Sequence, residues 1–273
     1  VNRDREEAMD LDLNELLGDW RCSGDEVCAR LIRGRDGDDV VQLRVDLGLL
    51  QMFLDGRPDG LRYHGLPSVY DYLQHESRVG YELTEEDWRE LHRELQQYNY
   101  RRLALSSLAE EALREKELEQ GRSYLRRTLR DIERCLAILH RLEENGAEWD
   151  SALAVLVPTL VFSRARLLTR LRVAENRIDE AIEEVERGVR ELNQALAEAG
   201  FEQEQREQNP AVAHLCQLGR RLREQHGITR TLKERLHEAI EREDFELAAR
   251  LRDELRRRQQ SDLQPKLPFS EEG

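Results

Sequence analysis

The stretch Thr231–Arg258, TLKERLHEAIEREDFELAARLRDELRRR, constrains this chain more than any other. Leu232, Leu236, Ala239 and Ile240 recur at spacings of three and four, and after Arg242-Glu243-Asp244 the same spacing resumes at Phe245, Ala248, Leu251, Arg252 and Leu255. That period predicts two short helices joined by a tight turn. Neither is long enough to be stable alone in water, so each must bury its apolar stripe against a partner. The small pair Ala248-Ala249 lets two backbones approach, and Phe245 is placed to cap the core between them.

Ala239-Ile240, the turn Glu243-Asp244-Phe245-Glu246 and the run Ala248-Ala249-Arg250-Leu251-Arg252-Asp253-Glu254 resemble the UvrB/UvrC motif, or UVR domain. In the families that carry it, this hairpin docks on a second hairpin: between the excision-repair proteins UvrB and UvrC, within Clp-type ATPases, and in the regulatory partner of the protein-arginine kinase. The resemblance implies a bacterial interaction element, not an enzyme. It implies a partner that is another UVR-hairpin protein or a second copy of this chain. Leu232, Leu236, Ile240, Phe245, Leu251 and Leu255 would be the apolar anchors, Ala248 the point of close approach, and Arg252 a rim charge beside Arg250, Asp253 and Glu254.

Charged residues at 37% with 5% aromatics point to exposed, ion-pair-rich helices, so the expected class is mainly α. A net charge of -14 argues against a nucleic-acid partner, because nonspecific affinity for a phosphate backbone depends on clustered cations. The basic clusters Arg126-Arg127 and Arg256-Arg257-Arg258 sit among acids and read as solvated faces. The polar start, Val1–Met9, has no signal-peptide core, and the longest apolar run, Ala152–Phe162, is too short to span a bilayer and contains Pro158. The expected protein is cytoplasmic, without a membrane partner. Cys22, Cys28, Cys135 and Cys216 fit that compartment as free thiols. No CxxC pair is present, unlike in the kinase regulator, so no metal or other cofactor is expected.

Leu13, Leu16, Leu17 and Trp20 fall on one face of a short helical segment, Leu11–Trp20, expected to pack on its own domain. From Val27 the period becomes two, giving a β-hairpin through the break Gly34–Asp38 to Val40–Val45, then a third extended piece, Leu49–Leu54. Gly56-Arg57-Pro58-Asp59-Gly60 suits a type I turn with Pro second. Asp46, Arg57 and Asp59 could line a shallow site there, although turn chemistry explains the same residues. From Thr84, an N-cap followed by three acids, the stripe Trp88, Leu91, Leu95, Tyr98, Leu105, Leu108 and Ala112 opens a helical hairpin. Gly121 marks the expected turn, and Leu125, Leu129, Ile132, Leu136, Leu139 and Leu142 return to Asn145-Gly146. A second hairpin starts with Pro158 in its first turn, turns at Glu175-Asn176-Arg177 and ends near Gly200. Its part Ser163–Ala197 resembles a tetratricopeptide (TPR) repeat in helix length and in the small residues Ala181 and Gly188. Pro210 starts a last helix before the His226-Gly227 separator.

The expected organisation is therefore stacked antiparallel helical hairpins with a small N-terminal α+β region. Residues 1–80 hold the β-hairpin, 81–226 the TPR-like helical domain, 227–260 the UVR hairpin and 261–273 a disordered tail. The seven histidines are scattered, and no HExxH, GxSxG or Walker spacing occurs, so no catalytic residue is assigned. The expected function is a non-catalytic adaptor. The alternatives are an accessory of nucleotide excision repair, or a regulator of a Clp-type protease or protein kinase.

Overall fold

The computed structural model describes residues 13–263 except 19, 21, 23–26, 35, 47, 77–80, 82 and 145–150. Val1–Met9, Asn145-Gly146 and the tail beyond residue 263 lie outside the described residues. Ten helices and three strands are described. They follow as α1 (Leu13–Gly18), β1 (Ala29–Arg33), β2 (Asp39–Val45), β3 (Gly48–Phe53), α2 (Val69–Glu76), α3 (Glu85–Arg114), α4 (Leu118–Glu144), α5 (Ser151–Ala174), α6 (Ile178–Glu198), α7 (Gln203–Glu207), α8 (Pro210–His226), α9 (Leu232–Glu241) and α10 (Phe245–Leu263). The class is mainly α, built of stacked helix pairs with a small N-terminal sheet.

The strands form an antiparallel meander, β1-β2-β3, with Leu31 opposite Val41 and Val41 opposite Met52. Three strands alone are marginal, and this sheet packs on α3. Val41, Leu43 and Met52 share one core with Leu91, Leu105, Leu125 and Ile132 of α3 and α4. A boundary at residue 80 therefore divides the sequence but not the core. Arg44 donates to the backbone oxygens of Leu17 and Trp20, and Arg30 stacks on the Trp20 ring at 4.2 Å. The α1 segment is thus held by its C-terminal carbonyls, while Leu13 and Leu16 stay exposed.

Thr84 caps α3 in a reciprocal box with Asp87, whose carboxylate also accepts from Tyr63 and Tyr81 at 2.8 and 2.7 Å. The α3–α4 turn is not at Gly121. It lies at Glu115–Glu117, where Lys116 takes φ 68° and Glu117 N–H reaches Ala112 O at 2.8 Å. Gly121 sits in the first turn of α4, where a Cβ would come within 2.7 Å of Leu113, so its role is close helix approach. Pro158 likewise lies inside α5, not in its first turn. It is buried there, and the burial of its neighbours Leu160 and Val161 helps offset the about 3 kcal/mol that a mid-helix proline costs. The short helices α2 and α7 carry no stripe long enough to announce them.

The second hairpin turns at Asn176, φ 60°, as expected. α5 and α6 form the next layer and α8 packs on α6, enclosing a core of Val161, Ala165, Ile182, Val185, Leu192 and Leu215. Gly188 permits the crossing: a Cβ there would stand 2.3 Å from the Cβ of Ala165. Gly188→Ala should therefore destabilise. Overpacking of about 1–3 kcal/mol exceeds the about 1 kcal/mol that alanine gains in a helix, and a lowered thermal midpoint is the check.

Charged residues occupy core positions of α3. Glu94 is fully buried, accepts Val69 N–H alone among the described residues, at 2.7 Å, and faces Arg57, Arg134, Asp71 and Tyr98. Burial pushes its carboxyl from 4.5 up to about 7, against the pull of that hydrogen bond and the two arginines. The folded chain holds this proton more tightly than the unfolded chain does. Glu94's contribution is therefore full below pH 4.5 and lost as pH rises through about 7. Glu94→Gln should stabilise the chain by about 1–3 kcal/mol near about pH 8 and flatten the slope below it, as read by urea unfolding across pH.

Two of the four cysteines are not free. Cys22 and Cys28 form a disulfide, while Cys135 and Cys216 remain thiols. The Cα atoms of the two cysteines stand 5.9 Å apart, a closeness that spacing alone does not signal. The thiol content thus no longer argues for a reducing compartment. No described helix is long and apolar enough to cross a membrane.

Candidate functional site

The C-terminal hairpin is built as its sequence spacing predicts. Thr231, itself fully buried, caps α9: its Oγ1 accepts from Glu234 N–H at 3.3 Å, and Glu234 accepts from Thr231 N–H at 2.6 Å. The turn Arg242–Asp244 is closed by Asp244 N–H to Ala239 O at 2.8 Å, with Glu243 at φ 57°. Asp244 then begins α10 by accepting from Leu247 N–H at 3.0 Å. α10 runs to Leu263, so residues 261–263, expected in the disordered tail, continue the helix.

Leu232, Ala239, Ala248 and Leu251 are buried between the helices, flanked by half-buried Leu236 and Leu255. Ala248 is the close contact that its size implied. Phe245 does not cap this core: it is 70% exposed, and Ile240 is 51% exposed. Phe245 is the first residue of α10, directly after the turn, so its side chain projects from the hairpin tip rather than between the helices. Leu247, which its place off the stripe left unremarked, is 39% exposed at the same end. Arg252 is exposed and pairs with its neighbour Asp253 at 3.3 Å, and Arg250 pairs with Glu246.

The eight predicted residues thus divide. Leu232, Leu236, Ala248, Leu251 and Leu255 make the hairpin itself, whereas Ile240, Phe245 and Arg252 face outward. Beside the tip, an open cleft of about 570 Å³ runs between the linker Gly227–Arg230 and α9, with Ile228, Ala239 and Leu247 as its apolar lining and Arg235 and Arg242 at its edge. Apolar anchors ringed by charge suit a partner helix better than a small molecule.

Elsewhere the expected alternatives do not assemble. Arg57 is buried and paired with Asp59 at 3.1 Å and Glu90 at 2.7 Å, and the turn closes by Gly60 N–H to Arg57 O at 2.9 Å. Asp46 sits apart, exposed in the β2–β3 turn. Arg57 and Asp59 thus serve the turn, and the three residues do not form one site. Among the described residues, no group of three or more His, Cys, Asp or Glu is placed to hold a metal ion.

No curated protein and no solved structure matches the chain. Its C-terminal hairpin, over residues 228–261, matches the UvrB/uvrC motif.

Proposed function

We propose that this protein is a non-catalytic adaptor that docks through its C-terminal UVR hairpin on an equivalent hairpin, either of a partner protein or of a second copy. The upstream helical hairpins serve as its scaffold. The observation that supports this reading is the exposure of Ile240, Phe245 and Leu247 around one turn, while the remaining apolar side chains of the hairpin close their own small core. Exposed apolar groups clustered at one end are the anchors that interfaces use, and they cost solubility unless they are covered in use. The acidic chain favours a protein over a nucleic-acid partner.

The adaptor acts in the cytoplasm on this reading, and the Cys22–Cys28 bond is the feature that stands against that compartment. Affinity capture with the full chain and with a chain ending at His226 tests the role. Partners retained by both would remove the hairpin from it. Recovery of a UVR-containing protein, or of the chain itself, only with the full chain would support it.

A further inference from the structure

The hairpin's small core does not merge with the core of the helical stack. Leu232, Ala239, Ala248 and Leu251 form a cluster separate from that of α5, α6 and α8, whose last apolar member on the linker is Ile228. Among the described residues, ion pairs tie the hairpin to the stack. Lys233 of α9 pairs with Glu183 of α6. Arg223, in the last turn of α8, bridges Glu186 of α6 and Glu234 of α9, and donates to Thr229 O at 3.2 Å. The Lys233–Glu183 pair itself lines a cleft of about 290 Å³, in which Leu232 and Leu255 lie beside Arg172, Glu180 and Arg187. The side of the hairpin away from its tip is thereby apposed to a charged wall.

We infer that this ionic clasp is a regulatory latch: closed, it holds the Leu232–Leu255 side of the hairpin against α6, and open, the whole hairpin with its exposed tip swings free on the Gly227 hinge to dock on an equivalent hairpin. The inference rests on the docking reading for its consequence but not for its existence. Three features poise the clasp to open. The linker begins at Gly227, φ 63°, which ends α8 sharply and leaves a short hinge before Thr231. The pairs are partly exposed, so each contributes about 0–1 kcal/mol and is screened by salt over roughly 8 Å. Glu183 gives Oε2 to Lys233 and buries Oε1 with no hydrogen bond among the described residues, so closure desolvates it. Burial accordingly pushes its carboxyl up, only partly offset by Lys233.

Hydrogen exchange on the dilute full chain tests the latch without any partner. Arg223→Gln and Lys233→Gln together should speed exchange of the amides of residues 228–236 roughly tenfold, with the amides of α3–α6 unchanged. High salt should move the unsubstituted chain to the same rates and leave the double variant unmoved, because its ionic contribution is already gone. Exchange within about twofold of the unsubstituted chain in the double variant, or insensitivity of the unsubstituted chain to salt, would overturn the latch. If exchange behaves as expected while affinity capture never depends on the hairpin, the docking reading fails and the clasp stands.

Discussion

Asp131→Ala should be among the most damaging single changes outside the hairpin, lowering stability by about 3–5 kcal/mol. Arg101 and Asp131 are both fully buried and meet in a two-pronged ion pair, with Nε and Nη2 each 2.7 Å from a carboxylate oxygen. The same guanidinium spends Nη1 on Phe53 O at 2.7 Å and Gly56 O at 2.9 Å. One buried charge therefore joins α3, α4 and the loop after β3. Alanine at 131 removes the counter-charge but leaves Arg101 where water cannot reach it, and that orphaned charge, not the lost attraction, dominates the cost. Replacing both partners, as Arg101→Met with Asp131→Leu, should cost less than Asp131→Ala alone. Urea unfolding followed by circular dichroism checks both. If the double variant is the less stable, the pair contributes net attraction that exceeds its desolvation.

That pair also shows where sequence reading stops. The stripe of α3 was legible as Trp88, Leu91, Leu95, Tyr98, Leu105, Leu108 and Ala112; the last six are buried and Trp88 is half-buried against the same core. Glu94 and Arg101 fall at helical spacing within it, three residues after Leu91 and Tyr98, yet composition favours reading any charge in such a chain as solvated. The signal was present: a charge inside an otherwise unbroken stripe must find a partner or shift its titration, and Arg101 did the first and Glu94 the second. Gly121 and Pro158 failed differently. Both are strong punctuation locally, but the α3–α4 turn is made by Lys116 in a left-handed conformation, and helix packing uses Gly121 for proximity. The hairpin was legible almost residue by residue because its two stripes, its cap Thr231 and its turn all agree. What period could not give was which stripe residues close the hairpin and which remain outside. Ile240 and Phe245 lie at the turn, where one residue of phase decides between core and solvent.

Phe245→Ala should weaken docking strongly while leaving the fold untouched. At 70% exposure the side chain contributes little to the hairpin's own core, so helical content and the thermal midpoint should stay where they are. Burying a phenylalanine against a partner contributes roughly 1.5–3 kcal/mol, which corresponds to roughly a 10- to 100-fold loss of affinity for a heterologous partner. If the partner is a second copy, each interface loses the side chain twice, and the loss becomes roughly 10²- to 10⁴-fold. Sedimentation of the full chain over a dilution series, alongside affinity capture, separates the two cases by the size of the effect. Leu251→Ala is the contrasting variant. Leu251 is buried inside the hairpin, so its loss should unfold α9 and α10 and abolish docking together with their helical signal. Docking that survives Phe245→Ala but not Leu251→Ala would move the interface from the tip to another face of the hairpin. Docking that survives both would end the case for the hairpin as the contact.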